Sequence, residues 1–131
     1  MNFEMNDNQK MIAQMVRDFA EKEIRPNIVQ WDNDEYFPVD TMKKMGELGL
    51  LGVYIPEDYG GSGFSYFEYV TALIELGKVC GGIGLSVAAH NSLCTGHIYY
   101  HGTLFHSALS FTSSLAFDVV AVLNEPVSLP R

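Results

Sequence analysis

Charge is what this sequence runs out of. After Lys78 the only basic residue is Arg131, and after Glu75 the only acids are Asp118 and Glu125, so residues 79–131 carry almost no charge. Bases are scarce throughout, 8 against 16 acids, for a formal charge of -8 and a pI near 4.8. That balance excludes the phosphate-neutralising surface that nucleic-acid binding requires. Cysteine is limited to Cys80 and Cys94. Met1–Lys10 holds two acids, one base and no apolar run, the pattern of neither a secretory signal nor a transit peptide. The expected compartment is therefore the cytoplasm and the expected cysteines are reduced thiols. Long hydrophobic runs are also lacking. The one stretch to weigh, residues 104–123, contains His106, Asp118 and five hydroxyl side chains. An Asp at mid-helix costs roughly 2.5–3.5 kcal/mol on insertion, so no membrane span is expected.

What is present suits one globular, all-α domain: 131 residues, 47% of them hydrophobic. Asn6 with Gln9 forms a capping box, and Met11, Ile12, Met15, Val16, Phe19 and Ile24 follow at helical spacing. Pro26 stops that helix and suits the first turn of a short second one through Trp31. Asp32–Glu35 is an acidic link. Pro38 opens a third helix with Val39, Met42, Met45 and Leu48 on one stripe, and Gly49 stands where a left-handed cap belongs. The apolar run 50–55 ends at Pro56, and the glycine-rich loop 57–63 follows. Ser65 and Glu68 cap a fourth helix, whose expected buried face is Phe67, Val70, Leu73 and Ile74, ending near Gly77. Gly81, Gly82 and Gly84 then break the chain before a fifth, long apolar helix from Leu85 to Tyr100. The expectation is an up-and-down, bundle-like arrangement of about five helices over residues 1–102, with residues 103–131 a poorly defined apolar tail.

Motifs for phosphate or nucleophile chemistry fail on context. Gly60-Gly61-Ser62-Gly63 lacks a Gly-Lys-Ser/Thr ending, Gly81-Gly82-Ile83-Gly84 follows no strand, and Ser62 lacks the strand–elbow–helix setting of a hydrolase nucleophile. His90, Cys94, His97 and His101 fall at about 0, 40, 340 and 20° on a helix wheel. Imidazole and thiolate are the right donors for zinc. Neighbouring ligands along one straight helix nevertheless cannot all reach one tetrahedral ion, and no other ligand group exists elsewhere in the chain. The simpler reading is a polar stripe toward solvent or a partner.

The Arg25-Pro26 break, Pro38, Gly49-Leu50-Leu51-Gly52, Pro56-Glu57-Asp58-Tyr59-Gly60-Gly61-Ser62-Gly63 and His90-Asn91-Ser92-Leu93 occur in a specific order and spacing. In these the chain resembles, over residues 5–102, the N-terminal α-helical domain of the flavin-dependent acyl-CoA dehydrogenases, of the short-chain, butyryl-CoA type. The resemblance implies an enzyme of three domains that uses FAD and a glutamate base to make an α,β-unsaturated acyl-CoA. Its partners would be an acyl-CoA substrate and the remaining dehydrogenase domains. It also implies that the fifth helix walls the acyl pocket. Leu85, Ser86, Ala89 and Leu93 are the substrate-facing positions, at about 220–320° on the wheel that puts the histidines near 0°.

The sequence departs from the family after Gly102. A polar segment is replaced by Thr103-Leu104-Phe105-His106-Ser107, and neither a flavin-loop signature nor the catalytic glutamate is present; neither Glu57 nor Glu125 is assigned that role. Residues 104–123 fit a helix and a strand almost equally, helix slightly better. A truncated or frame-shifted gene end is one origin consistent with such a tail. No residue of this chain is expected to be catalytic or to hold FAD or a metal by itself. Two other readings stand beside this one. In the first, a helical interaction module docks through its uncharged back half, which would make the isolated chain a homo-oligomer. In the second, a helical metal-binding protein uses His90, Cys94 and His97.

Overall fold

The structure is a computed structural model and describes residues 4–102. Every regular element among them is helical. Helix α1 (Asp7–Phe19) starts at the expected capping box: the Asn6 side chain accepts from the Gln9 N–H, and the Gln9 side chain accepts from the Asn6 N–H. The helical path then widens into a π turn, Ala20–Ile24, in which the Arg25 N–H reaches back five residues to the Ala20 carbonyl. Pro26, which has no N–H to give, sits just beyond it in a 3-10 turn, Arg25–Asn27, that leads into α2 (Ile28–Asn33).

Helix α3 (Val39–Glu47) ends in a Schellman turn. Gly49 has φ +77°, its N–H donates to Gly46, and the Leu50 N–H donates to Met45. Of the predicted stripe, Met42 and Met45 are buried and Leu48 is exposed, because the turn lifts it off the helix face. Residues 48–64 fold back as a set of turns. Gly61 is needed there: a Cβ on it would collide with the Ile55 backbone and side chain.

Helix α4 (Tyr66–Val79) lies between α1 and α5 (Gly81–Ala89). Its Ser65–Glu68 capping box forms as expected, but of its expected buried face only Leu73 packs, partly buried, against the core. Phe67, Val70 and Ile74 are 74%, 48% and 55% exposed, while Glu68, Tyr69, Ala72, Glu75 and Leu76 point inward. The two carboxylates tolerate this because both are partnered. Glu68 accepts from Ser65 and, at 3.2 Å, from the Asn6 side chain; Glu75 takes two bonds of 3.1 Å from Arg17 and one of 2.7 Å from Lys78.

A second expectation also changes. The glycines at 81, 82 and 84 open α5 instead of breaking the chain, and the break falls at Cys80, whose backbone is extended. At Gly84 a Cβ would stand 3.4 Å from the Gly77 backbone nitrogen, so these two glycines let α4 and α5 cross closely. The core they enclose is Ile12, Val16, Ile24, Met42, Met45, Leu50, Val53, Leu76 and Val87. No described helix is long and apolar enough to cross a membrane. The expectations for residues 103–131 lie outside the described residues.

Candidate functional site

The predicted long helix is three pieces on one path: α5, a π turn His90–Thr95, and α6 (Gly96–His101). At its centre is Asn91, fully buried. Its Oδ1 accepts from the Val53 N–H at 3.0 Å, and its Nδ2 donates to the Leu50 carbonyl at 2.8 Å and the Val87 carbonyl at 3.0 Å. One amide thus ties the Leu50–Val53 turn to the helix and satisfies three backbone groups away from water.

A π turn leaves carbonyls poorly used by the helix itself, and here side chains take them. The Ala88 carbonyl accepts from Tyr69 at 3.0 Å and Ser92 at 2.7 Å. The Thr95 hydroxyl lies 3.1 Å from the His90 carbonyl and 3.0 Å from that of Asn91. The Asn91 carbonyl also accepts from the Tyr54 hydroxyl at 2.5 Å and from the Gly96 N–H five residues on. Tyr54 stacks on Tyr66 with ring centres 4.4 Å apart and meets Tyr69 edge-on. Burial, with Tyr66 next, raises the Tyr54 phenol well above its ordinary pKa, so it stays a neutral donor. Gly96 is needed because a Cβ there would collide with the Tyr54 hydroxyl.

The π turn also breaks the histidine stripe, leaving His97 and His101 side by side on α6 with ring centres 6.0 Å apart. His90 is buried, its pKa lowered by burial against the opposing hydrogen bond to the Leu51 backbone. His97 is exposed, its ring nitrogen 3.1 Å from the Ser92 carbonyl, and the half-buried Cys94 thiol is pushed up by burial, away from thiolate. Among the described residues no group of three histidine, cysteine or acidic side chains stands ready to hold a metal. The stripe assumed 100° per residue, which a π turn does not keep.

Nor do the described residues fit a flavin pyrophosphate. The loop N–H groups of Gly60, Gly61, Ser62 and Gly63 are spent on the carbonyls of Glu57, Pro56, Gly52 and Ile55. Lys10, Arg17, Lys22, Arg25, Lys44 and Lys78 each stand beside a carboxylate, of the described cations only Lys43, exposed on α3, is outside these pairs, and residues 79–102 contain no Lys or Arg.

The four predicted substrate-facing positions lie on the outer side of α5 and the π turn. Leu85 and Leu93 are 71% and 69% exposed, and Ser86 and Ala89 are half-buried. Ser86 borders an open cavity of about 440 Å³ between α2, the link before α3 and α5, where its hydroxyl donates to the Gly82 carbonyl at 3.0 Å. The supporting residues Tyr54, Thr95 and Gly96 were not singled out from sequence. A lone glycine within an apolar helical pattern was the available signal for Gly96.

Residues 6–104 match the family described as acyl-CoA dehydrogenase, N-terminal domain. The chain belongs to that family. A probable acyl-CoA dehydrogenase of Bacillus subtilis is 52% identical over 103 residues, 79% of this chain and 27% of that one. The human mitochondrial short-chain specific acyl-CoA dehydrogenase is 40% identical over 125 residues, 94% of this chain and 30% of that one, an alignment that continues past Gly102. In structure, the domain superposes on the butyryl-CoA dehydrogenase of Megasphaera elsdenii with a TM-score of 0.79 at 30% identity, covering 88% of this chain and 30% of that one. The chain therefore spans under a third of the length of these relatives.

Proposed function

We propose that residues 1–102 serve as the N-terminal helical domain of an FAD-dependent dehydrogenase of short acyl-CoA thioesters. In it Leu85, Ser86, Ala89 and Leu93 wall the acyl tail. The observation that carries this is the outward apolar strip itself. Two leucines more than two-thirds exposed stand on an element free of Lys, Arg, Asp and Glu, in a domain whose relatives are named for acyl-CoA dehydrogenation. An alkyl tail laid there recovers about 0.8 kcal/mol per buried methylene. The flavin, which supplies hydride acceptance when bound, has its pyrophosphate held elsewhere, since the loop donors and every described cation but the exposed Lys43 are already committed.

The test has two arms. Mixed with FAD and butyryl-CoA, the 131-residue chain is expected neither to retain flavin nor to reduce an electron acceptor, and stoichiometric retention overturns the assignment. Placed in a full-length relative in exchange for its matched segment, residues 4–102 are expected to support turnover. In that chimera Leu85→Asp should lower kcat/KM for butyryl-CoA by tenfold or more. The same change in the 131-residue chain should alter stability by less than about 0.5 kcal/mol, as expected for a surface site.

A further inference from the structure

We infer that the π turn His90–Thr95 is a register device that brings Leu93 into line with Leu85 and Ala89, with Thr95 and Tyr54 as positioning residues for acyl-chain length. The inference rests on the acyl-wall reading above. In an unbroken α-helix Leu93 would lie about 80° around the axis from Leu85, and the strip would wind away from a straight alkyl chain. A π turn has roughly 4.4 residues per turn, about 80° each, which returns Leu93 to nearly the direction of Leu85. Both leucines are largely exposed, at 71% and 69%.

The turn is held by groups outside the four positions of the proposed acyl wall. The Gly96 N–H reaches the Asn91 carbonyl five residues back, and the Tyr54 and Thr95 hydroxyls converge on that same oxygen. Thr95 is almost wholly buried and lies between the His90 and Asn91 carbonyls. Without these hydroxyls the crowded carbonyl loses two donors, and the ordinary four-residue bond becomes the better competitor. Leu93 then swings around the helix, and the depth of the wall changes.

The deciding pair is Thr95→Ser, which keeps the hydroxyl, and the double variant Tyr54→Phe/Thr95→Val, which removes both hydroxyls at nearly constant shape. In the 131-residue chain, NMR should show the five-residue contact from the Asn91 Hα to the Gly96 N–H in the parent and in Thr95→Ser. The double variant should lose it. Retention of that contact in the double variant overturns the inference whatever the kinetics. In the flavin-loaded chimera, the ratio of kcat/KM for four-carbon over eight-carbon acyl-CoA should move at least fivefold in the double variant and stay within twofold in Thr95→Ser. An unchanged ratio with lowered stability overturns the register role and leaves the acyl wall standing. A folded, flavin-loaded chimera without turnover on any acyl-CoA overturns the acyl wall, and the register role with it.

Discussion

Asn91 and Gly96 show how much of this domain depends on two residues that look unremarkable in the chain. Asn91 serves three backbone groups in the interior, so Asn91→Ala takes this partner from the Leu50 carbonyl and the Val53 N–H at once, while the Val87 carbonyl keeps the His90 N–H. A loss on the order of 3 kcal/mol is expected, read as a lower urea midpoint with an unchanged slope. Gly96→Ala drives a methyl into the Tyr54 hydroxyl and should cost about 1–3 kcal/mol by overpacking. Pairing it with Tyr54→Phe, which removes the oxygen, should recover part of that loss, and identical melting curves for the single and double variants would refute the contact. The Asn-Ser-Leu run was visible as a motif in the sequence. Its job was not, because a side chain reaching 38 and 41 residues away leaves no periodic trace.

Among the elements, helix ends were more legible than helix faces. Both capping boxes and the Gly49 turn form where local residue order puts them, since each is decided within a few residues of chain. The face of α4 was misread because periodicity treats every carboxylate as a group that must reach water. Glu68 and Glu75 are instead satisfied by neighbours from α1 and from their own helix, the Asn6 amide even joining one capping box to the other. These bonds have a pH signature. Hydrogen bonding from Arg17 holds the Glu75 carboxyl below its usual range, and the Ser65 hydroxyl does the same for Glu68. A folded-state pKa below the unfolded one contributes stability above the unfolded value, about 4.3 for Glu, and that stability is lost as pH falls through the folded value. Unfolding free energy should thus be level above about pH 5 and fall below it. Glu75→Gln should flatten the fall, and an unaltered pH profile would show that the Arg17 pair is not its source.

At the scale of the whole molecule, the unequal distribution of charge along the chain becomes a distribution in space. The described Lys and Arg residues sit on α1 to α4 and the turns between them, most beside carboxylates, and α5 to α6 has none. Phe67, Val70 and Ile74 add an apolar face on α4 that the described residues do not cover. A chain exposing both surfaces should self-associate on its own, the outcome the interaction-module reading also predicts. Light scattering over a range of concentrations checks this, and a monodisperse monomer at high concentration would count against both surfaces as sticky. Phe67→Ser should reduce the association without lowering stability by more than about 0.5 kcal/mol. The bond from the Val53 N–H to Asn91 also makes the domain report on itself. That amide belongs to no helix, yet it is shielded only while the turns after α3 and the helical path through α5 remain joined. Its rate of exchange with deuterated solvent therefore clocks the separation of the two halves, independently of any helix fraying at its ends.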